Sequence, residues 1–401
     1  MFTPWVDQLL LNNNKSQKSQ ILAVFNFSNL PLGEVTNPLG FTFLRNSLAG
    51  YEESDNLFHV DTIGINKGRI VQIGNKKGLR MEPATVNIYN GPRDPGVWSA
   101  SSGGSTTTSV TATSMEGISY NKIAYNDVLA NGYGKFPTET GLTAGQKYSF
   151  SFAAKAGTTT RIQNSNYMGS QSIMYADATS SWTRFGSTFN ITSGTTLSSC
   201  VADGRNLIAQ GGTETAQNRN YYTDLHQLEL GSPTSFTPTS RAGEEMYRSI
   251  AGYVVDGRLT YDIDFILTVS AATAQFVSKP NMKFFYLDDF NYAEILIKPS
   301  GDPDHRKIKV VVAGQAEILP NALPDWTLNQ NLVVKLQLGN GKAKAWYTVN
   351  PSFLGAPALT SLGQSTNAQS DFIPGSATVD FCCKGVTNQL EGAIRQIRFY
   401  S

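Results

Sequence analysis

The side chains that could do chemistry in this sequence are few and scattered. Its histidines are His59, His226 and His305, and none stands at the spacing of a nucleophile–base pair or a metal-ligand set. His305 sits between Asp304 and Arg306 in a polar stretch, His59 among short hairpins and His226 inside a strand-like run, so each reads as structural or solvent-facing. Adjacent carboxylates occur at Glu52-Glu53, Glu244-Glu245 and Asp288-Asp289. Neighbours on a strand point to opposite faces, which is not how a glycosidase pair is built, although distant carboxylates could still converge. Asp288, Asp289 and Asn291 bring oxygen ligands to one loop that could hold Ca²⁺, but a solvated hairpin tip is the simpler reading. Cys200, Cys382 and Cys383 make no disulfide framework, and Phe381-Cys382-Cys383 reads as buried strand with cysteine as a small hydrophobe. Trp98, Tyr133, Tyr167 and Trp326 could stack on sugar rings, yet aromatics in sandwiches are mostly core, so no glycan-binding residue is singled out. The expectation is a protein with no catalytic residue, no metal and no cofactor.

The elements around these residues are strands. Aromatic residues make up 11% and charged residues 16% of the chain, with 36 Gly and 17 Pro, which suits many short strands joined by turns. Tyr148, Phe150 and Phe152 alternate strictly, and Trp182 to Gly186 reads as their companion strand; an eight-strand sandwich is expected over roughly 86–236. Residues 99–114, almost wholly Ser, Thr and Gly, fit a flexible linker or an exposed strand equally well. Leu228 and Leu230 flank Glu229 at the period of a strand with one buried face. Gly231, Pro233 and Pro238 then drive the chain out of the sheet, and Arg241 to Glu245 reads as a polar bridge to a second region. There Tyr261-Asp262-Ile263-Asp264-Phe265 alternates to give one wet and one dry face. Phe284 to Leu287 and Glu294 to Ile297 flank the 288–291 tip, and further strands fall at Ile308 to Val312, Leu332 to Leu338 and Lys344 to Val349. Gly339-Asn340-Gly341 makes the turn before the last of these, and Gly392 to Tyr400 closes the chain.

At 401 residues the chain exceeds one ordinary core. Its net charge of +1 gives no field toward nucleic acid or an acidic membrane. No apolar run approaches a membrane span, and no signal-peptide order is present, so synthesis in a cytoplasm without membrane insertion is expected. Trp5, Val6, Leu9 and Leu10 could form an apolar stripe on a short helix, ahead of the polar run Asn12 to Ser16. So short an element cannot bury that stripe alone, which points to docking on another subunit; residues 21–27 read as a strand, and the alternative is an ordinary N-terminal strand packed on its own domain. A chain lacking 1–30 is expected to keep its sandwiches folded.

Three stretches carry a resemblance. Gln227-Leu228-Glu229 followed by Gly231, Pro233-Thr234-Ser235 and Pro238-Thr239 resembles the signature that closes a carbohydrate-binding-module-like jelly roll in tailed-bacteriophage structural proteins. Its usual form has an extra aromatic before the first proline, where this chain has Ser232. The strand ending in Arg45-Asn46-Ser47, and Gly78, Leu79, Glu82, Ala84 and Asn87, are similar to the segment that precedes that domain, with Pro83 and Val86 as departures. The run Thr143 to Lys155 resembles jelly-roll carbohydrate-binding modules, and residues 246–401 look like a concanavalin-A-like (laminin-G-type) lectin sandwich. The resemblance implies an all-β protein of tandem antiparallel β-sandwiches. Its parts are a virion-attachment arm over 1–40 (docking through Trp5, Val6, Leu9 and Leu10), short hairpins over 41–85, a jelly roll over 86–240 and a lectin sandwich over 246–401. It further implies a non-enzymatic virion protein, a tail fibre or adhesin touching host glycans. The alternative is a decoration, head-fibre or collar protein making protein contacts. Partners would be other virion proteins, and a homotrimer would raise avidity.

Overall fold

The computed structural model describes residues 20–52, 58–82, 84–89, 99–100, 105–113, 119–127, 133–135, 138–157, 161–167, 171–191, 196–203, 219–231, 234, 236–237, 240–267, 281–298, 301–326, 330–349, 359–372, 378–381 and 392–401. Among these the secondary structure is β, with two short 3₁₀ turns at Phe27–Asn29 and Pro38–Gly40. No helix of the described residues is long and apolar enough to cross a membrane. Trp5, Val6, Leu9, Leu10, Trp98, Cys382 and Cys383 lie outside the described residues.

Two antiparallel sandwiches result, and the strand pairing nests one inside the other. The jelly roll has two five-stranded sheets, ten strands where eight were expected. One sheet runs Ser105–Thr113, Ser119–Asp127, Arg219–Leu230, Lys147–Ala156, Thr183–Asn190 in spatial order; the other runs Gln171–Asp177, Arg161–Tyr167, Ser198–Asp203, Tyr133–Lys135, Ser99–Ala100. Among the described residues, the Ser/Thr-rich stretch is therefore strand at Ser99–Ala100 and Ser105–Thr113. Tyr148, Phe150 and Phe152 face inward onto Phe189, Leu197 and Leu228, and Phe152 pairs with Phe185 as the alternation predicts. Each ring so buried contributes about 1.5–3 kcal/mol.

The second sandwich draws its strands from both ends of the chain. Its ten-stranded sheet has Gly392–Tyr400 and Arg258–Leu267 at its centre, with Gln330–Leu338 and Lys344–Val349 on one side and Lys76–Met81 and Gly68–Ile73 on the other. The facing seven-stranded sheet runs from Gln315–Ala322 through Met282–Asp288 and Glu245–Ser249 to Thr42–Leu44. Between them lies a core containing Phe27, Phe41, Phe43, Tyr261, Phe285, Phe381 and Phe399. The turn after Leu338 is as expected: Gly339 has φ +82°, and a Cβ there would lie 2.4 Å from the Gly257 carbonyl oxygen.

Two expectations are corrected by this pairing. Residues 20–40 are not a separate arm, because Ile21–Asn26 pairs with Gly392–Tyr400 and Phe25 stacks edge-on against Phe41 and Phe399. Nor are residues 41–85 a free-standing set of hairpins, since Thr42–Leu44, Gly68–Ile73 and Lys76–Met81 are strands of the second sandwich. A 1–30 deletion would therefore remove a sheet strand and part of the core.

The polar bridge is corrected as well. Thr85–Val86 pairs with Ser240–Arg241, so the chain enters and leaves the jelly roll through a two-stranded neck, and residues around it are buried rather than solvated. Glu244 accepts from Arg45 Nη1 (3.0 Å), Arg69 Nε (2.9 Å) and the Glu82 amide (2.8 Å). Glu82 meets Arg69, Arg80 and Arg241. Burial opposes ionisation of Glu82, but Arg241, Arg80 and Arg69 outweigh it and hold its carboxyl well below the usual range. Burial alone would weaken the Arg69 charge, and Glu244 and Glu82 instead raise its pKa. Next to this cluster, Glu229 accepts from Thr85 Oγ1, Gln227 Nε2 and both the amide and hydroxyl of Thr234. Asn87 bonds the Leu228 amide and the His226 and Thr237 carbonyls. Leu228 is buried as the alternation predicts, but Glu229 is buried too, and Leu230 is 59% exposed where a buried residue was expected. The exit segment folds back over that face, with Phe236 against Trp182 and Leu225.

Removing one partner leaves buried charges unpaired, which typically costs about 3–5 kcal/mol. Glu244→Gln should lose stability of that order in urea denaturation. A loss below about 1 kcal/mol would show that the neck does not hold the two sandwiches together.

Candidate functional site

The face of the ten-stranded sheet turned away from the core gathers ionisable and aromatic side chains in a row, with Asp262 and Asp264 buried among them rather than solvated as expected. Cross-strand register sets Val24 opposite Arg398, Arg398 opposite Asp262, Asp262 opposite Lys335, and Lys335 opposite Trp346. Residues directly opposite share a face, so these side chains stand together above five strands. The alternation of Arg258–Leu267 explains it: Leu259, Tyr261, Ile263 and Phe265 take the core, which leaves Asp262 and Asp264 on the other side.

The geometry fixes what each group can do. Asp262 Oδ1 accepts from Arg398 Nε at 2.8 Å and Oδ2 from the Tyr400 hydroxyl at 2.5 Å. That carboxylate is committed to holding two neighbours in place. Burial pushes the Tyr400 hydroxyl pKa up, and Asp262 beside it adds to the shift. Lys335 Nζ lies 4.0 Å from the centre of the Tyr400 ring, a cation–π distance. A β-bulge at Asp264/Phe265 makes Arg395 the extra residue of its strand, and its Nη1 reaches Asp264 Oδ2 at 3.4 Å. Asp264 is 8% exposed, and burial outweighs Arg395 to push its pKa up from 3.8 to about 6. Arg398, Lys335 and Trp346 remain partly exposed. Donors held in place beside an aromatic ring on a sheet face could contact a polar ligand that has a ring of its own.

Sequence reasoning placed Asp262 and Asp264 on a wet face but weighed only adjacent carboxylates as pairs. The signal that could have found the site is the i, i+2 acidic pair on one strand together with Arg395, Arg398 and Tyr400 on another.

Of the other sequence candidates, His226, His305 and Trp326 are structural. His226 is buried and stacks near the Phe150 and Phe152 rings at 6.3 and 6.1 Å. His305 Nδ1 lies 2.7 Å from the Lys298 carbonyl oxygen. His59 is in the strand Phe58–Ile63. Trp326 is core, and Tyr133 and Tyr167 lie in strands of one jelly-roll sheet. In the 288–291 hairpin, Asp288 Oδ1 accepts from the Phe290 amide and Asn291 Nδ2, Asn291 Oδ1 from the Ala313 amide, and Asp289 Oδ1 from the Tyr286 hydroxyl. Those oxygens face donors of the hairpin itself and, at Ala313, of the neighbouring turn. Among the described residues no group of three or more His, Cys, Asp or Glu side chains is placed to hold a metal ion.

No family model and no curated protein matches the chain. Solved structures similar to it include the CBM22-1 xylan-binding domain of Paenibacillus barcinonensis Xyn10C, 11% identical with a TM-score of 0.27, covering 37% of this chain and 94% of that one. The tandem CBM22-1–CBM22-2 domains of the same enzyme are 8% identical with a TM-score of 0.28, over 81% of this chain and 98% of that one. Domain 4 of AbnA, an extracellular arabinanase of Geobacillus stearothermophilus in complex with arabinotriose, is 12% identical with a TM-score of 0.28, over 40% of this chain and 67% of that one. Likeness at this level fixes no ligand for this chain.

A folded pKa above the unfolded value means that the folded state holds the proton more tightly. The stabilisation that this gives Asp264 is full below its ordinary value of 3.8 and is lost as pH rises through about 6. The melting temperature of the wild type relative to Asp264→Asn should therefore fall by about 3–6 °C across that window. Calorimetry at several pH values measures it, and a pH-independent difference would contradict the assignment.

Proposed function

We propose that this chain is a non-enzymatic structural protein of a tailed-phage virion, a tail fibre or adhesin that recognises host-surface glycan. The observation that supports it best is the row Arg398–Asp262–Lys335–Trp346 with Tyr400. Sugar hydroxyls are met by donors and acceptors held in fixed positions, and sugar rings by aromatic faces; this row supplies both on a rigid sheet. The second sandwich is read as concanavalin-A-like from its strand, Gly-Asn-Gly turn and strand, and the phage setting comes from the resemblance over 41–240. The site has no catalytic role in this reading, and the protein is made in the host cytoplasm before assembly. A shallow single site binds weakly, so a homotrimer fits best, gaining roughly 10²–10⁴ in avidity. The test is a glycan array with the purified full chain, followed by host-cell adsorption competed with the glycan that scores. Binding that Trp346→Ala leaves unchanged would sink the assignment to this face.

A second reading, a decoration, head-fibre or collar protein, draws on a different observation. Ile21, Leu22 and Val24, next to the predicted docking segment, are 48%, 38% and 48% exposed on one strand. Such a strand suits contact with another virion protein.

Deleting residues 1–19 should leave the melting temperature within about 2 °C of the full chain and abolish incorporation into particles. Normal incorporation of the truncated protein would place the anchor elsewhere. Light scattering of the full chain should give three times 43.6 kDa; a single 43.6 kDa species at micromolar concentration would remove the trimer.

A further inference from the structure

Around the carboxylates of Asp262 and Asp264 stand four cationic side chains, Lys76, Lys335, Arg395 and Arg398. Arg398 Nε is taken by Asp262 and Arg395 Nη1 by Asp264, so each carboxylate already has its own guanidinium. Lys335 lies over the Tyr400 ring, half-buried, between Trp346 on one neighbouring strand and Asp262 on the other. The face thus carries more positive than negative charge in a chain whose net charge is only +1.

The geometry points to an anionic glycan as the ligand of this face, one whose carboxylate or phosphate group sits on Lys335 and the free edge of Arg398 while its sugar ring lies against Trp346. This rests on the glycan-binding reading above and names its ligand class. A half-buried ammonium is screened less than one in open solvent, and a guanidinium held from behind by a carboxylate has lost its rotational freedom before the ligand arrives. Both properties favour a fixed anionic group over a neutral hydroxyl. Asp262 then acts as a positioning residue, orienting Arg398 and Tyr400 without touching the ligand.

The test uses the full chain and two bacterial-type polysaccharides, one bearing uronic acid and one bearing phosphodiesters. Each is paired with a neutral counterpart, carboxyl-reduced for the first and dephosphorylated for the second. Calorimetry should show at least one charged form binding about tenfold or more tightly than its neutral counterpart, with affinity falling as salt rises. Lys335→Gln should abolish that preference and Lys335→Arg should keep it, with unchanged melting temperature showing that both variants fold. The charged form that binds identifies which anion is read. Equal binding of charged and neutral forms would overturn this inference and leave the glycan reading standing. Tight binding that Lys335→Gln does not weaken would also overturn it. Binding of neither polysaccharide in any form would overturn both.

Discussion

Arginine can be buried only where each charge meets its partner, and this chain meets that condition at the neck between its sandwiches. Arg45, Arg69 and Arg241 are among its largest fully buried side chains. Removing such ions from water costs several kcal/mol apiece, so the cluster yields little surplus stability even when complete, and a half-built cluster is worse than an apolar one. Its members come from segments on both sides of the inserted jelly roll. Arg45, Arg69, Arg80 and Glu82 must therefore be in place together with Arg241 and Glu244 before any of them is satisfied. That requirement fixes how the chain enters and leaves the insertion.

The neck also explains why short sequence motifs stand out. Arg45 Nε donates to the Ser47 carbonyl and Ser47 Oγ accepts from the Ala242 amide, so Arg-x-Ser ties the first segment to the exit. Gly78 lies where a Cβ would come within 2.7 Å of the Ile394 carbonyl oxygen, which lets Lys76–Met81 run close beside the C-terminal strand. Glu82 closes the ion cluster, and Asn87, Gln227, Glu229, Thr234 and Thr237 close the hydrogen-bond network beside it. The motif residues look inward, and their chemistry is that of a mount.

Strand periodicity made the all-β class, the Tyr148–Phe152 core strand, the Gly339 turn and the closing strand legible, because period-2 burial is a local property. The nesting was not legible. Pairing of Ile21–Asn26 with Gly392–Tyr400 joins residues nearly a whole chain apart, and nothing local to either strand announces it. Leu228 is buried as periodicity predicts, but Leu230 and Glu229 depart from it because periodicity assumes one buried face. At Glu229 the returning exit segment covers the other face too, and hydrogen bonds to Thr85 and Thr234 make a carboxylate acceptable there. The candidate site was half legible: alternation put Asp262 and Asp264 on the face away from the core, but both are buried there rather than solvated, and their partners Arg395, Arg398 and Tyr400 come from the other end of the second sandwich.

The C-terminal strand links the mount to the proposed binding face. Its first residues, Gly392 to Ile394, pair with Lys76–Met81, which leads into the neck, and its last, Arg398 to Tyr400, present donors to Asp262. On its other side it is bonded along its length to Arg258–Leu267. A site carried on loops could shift independently of the scaffold; one carried on this strand moves only with the sheet. The side chains of the proposed face are thus held at fixed spacing by the same backbone ladder that runs toward the buried ion cluster. The neck and the proposed face are joined by continuous strand pairing, a connection that a loop-borne site would lack.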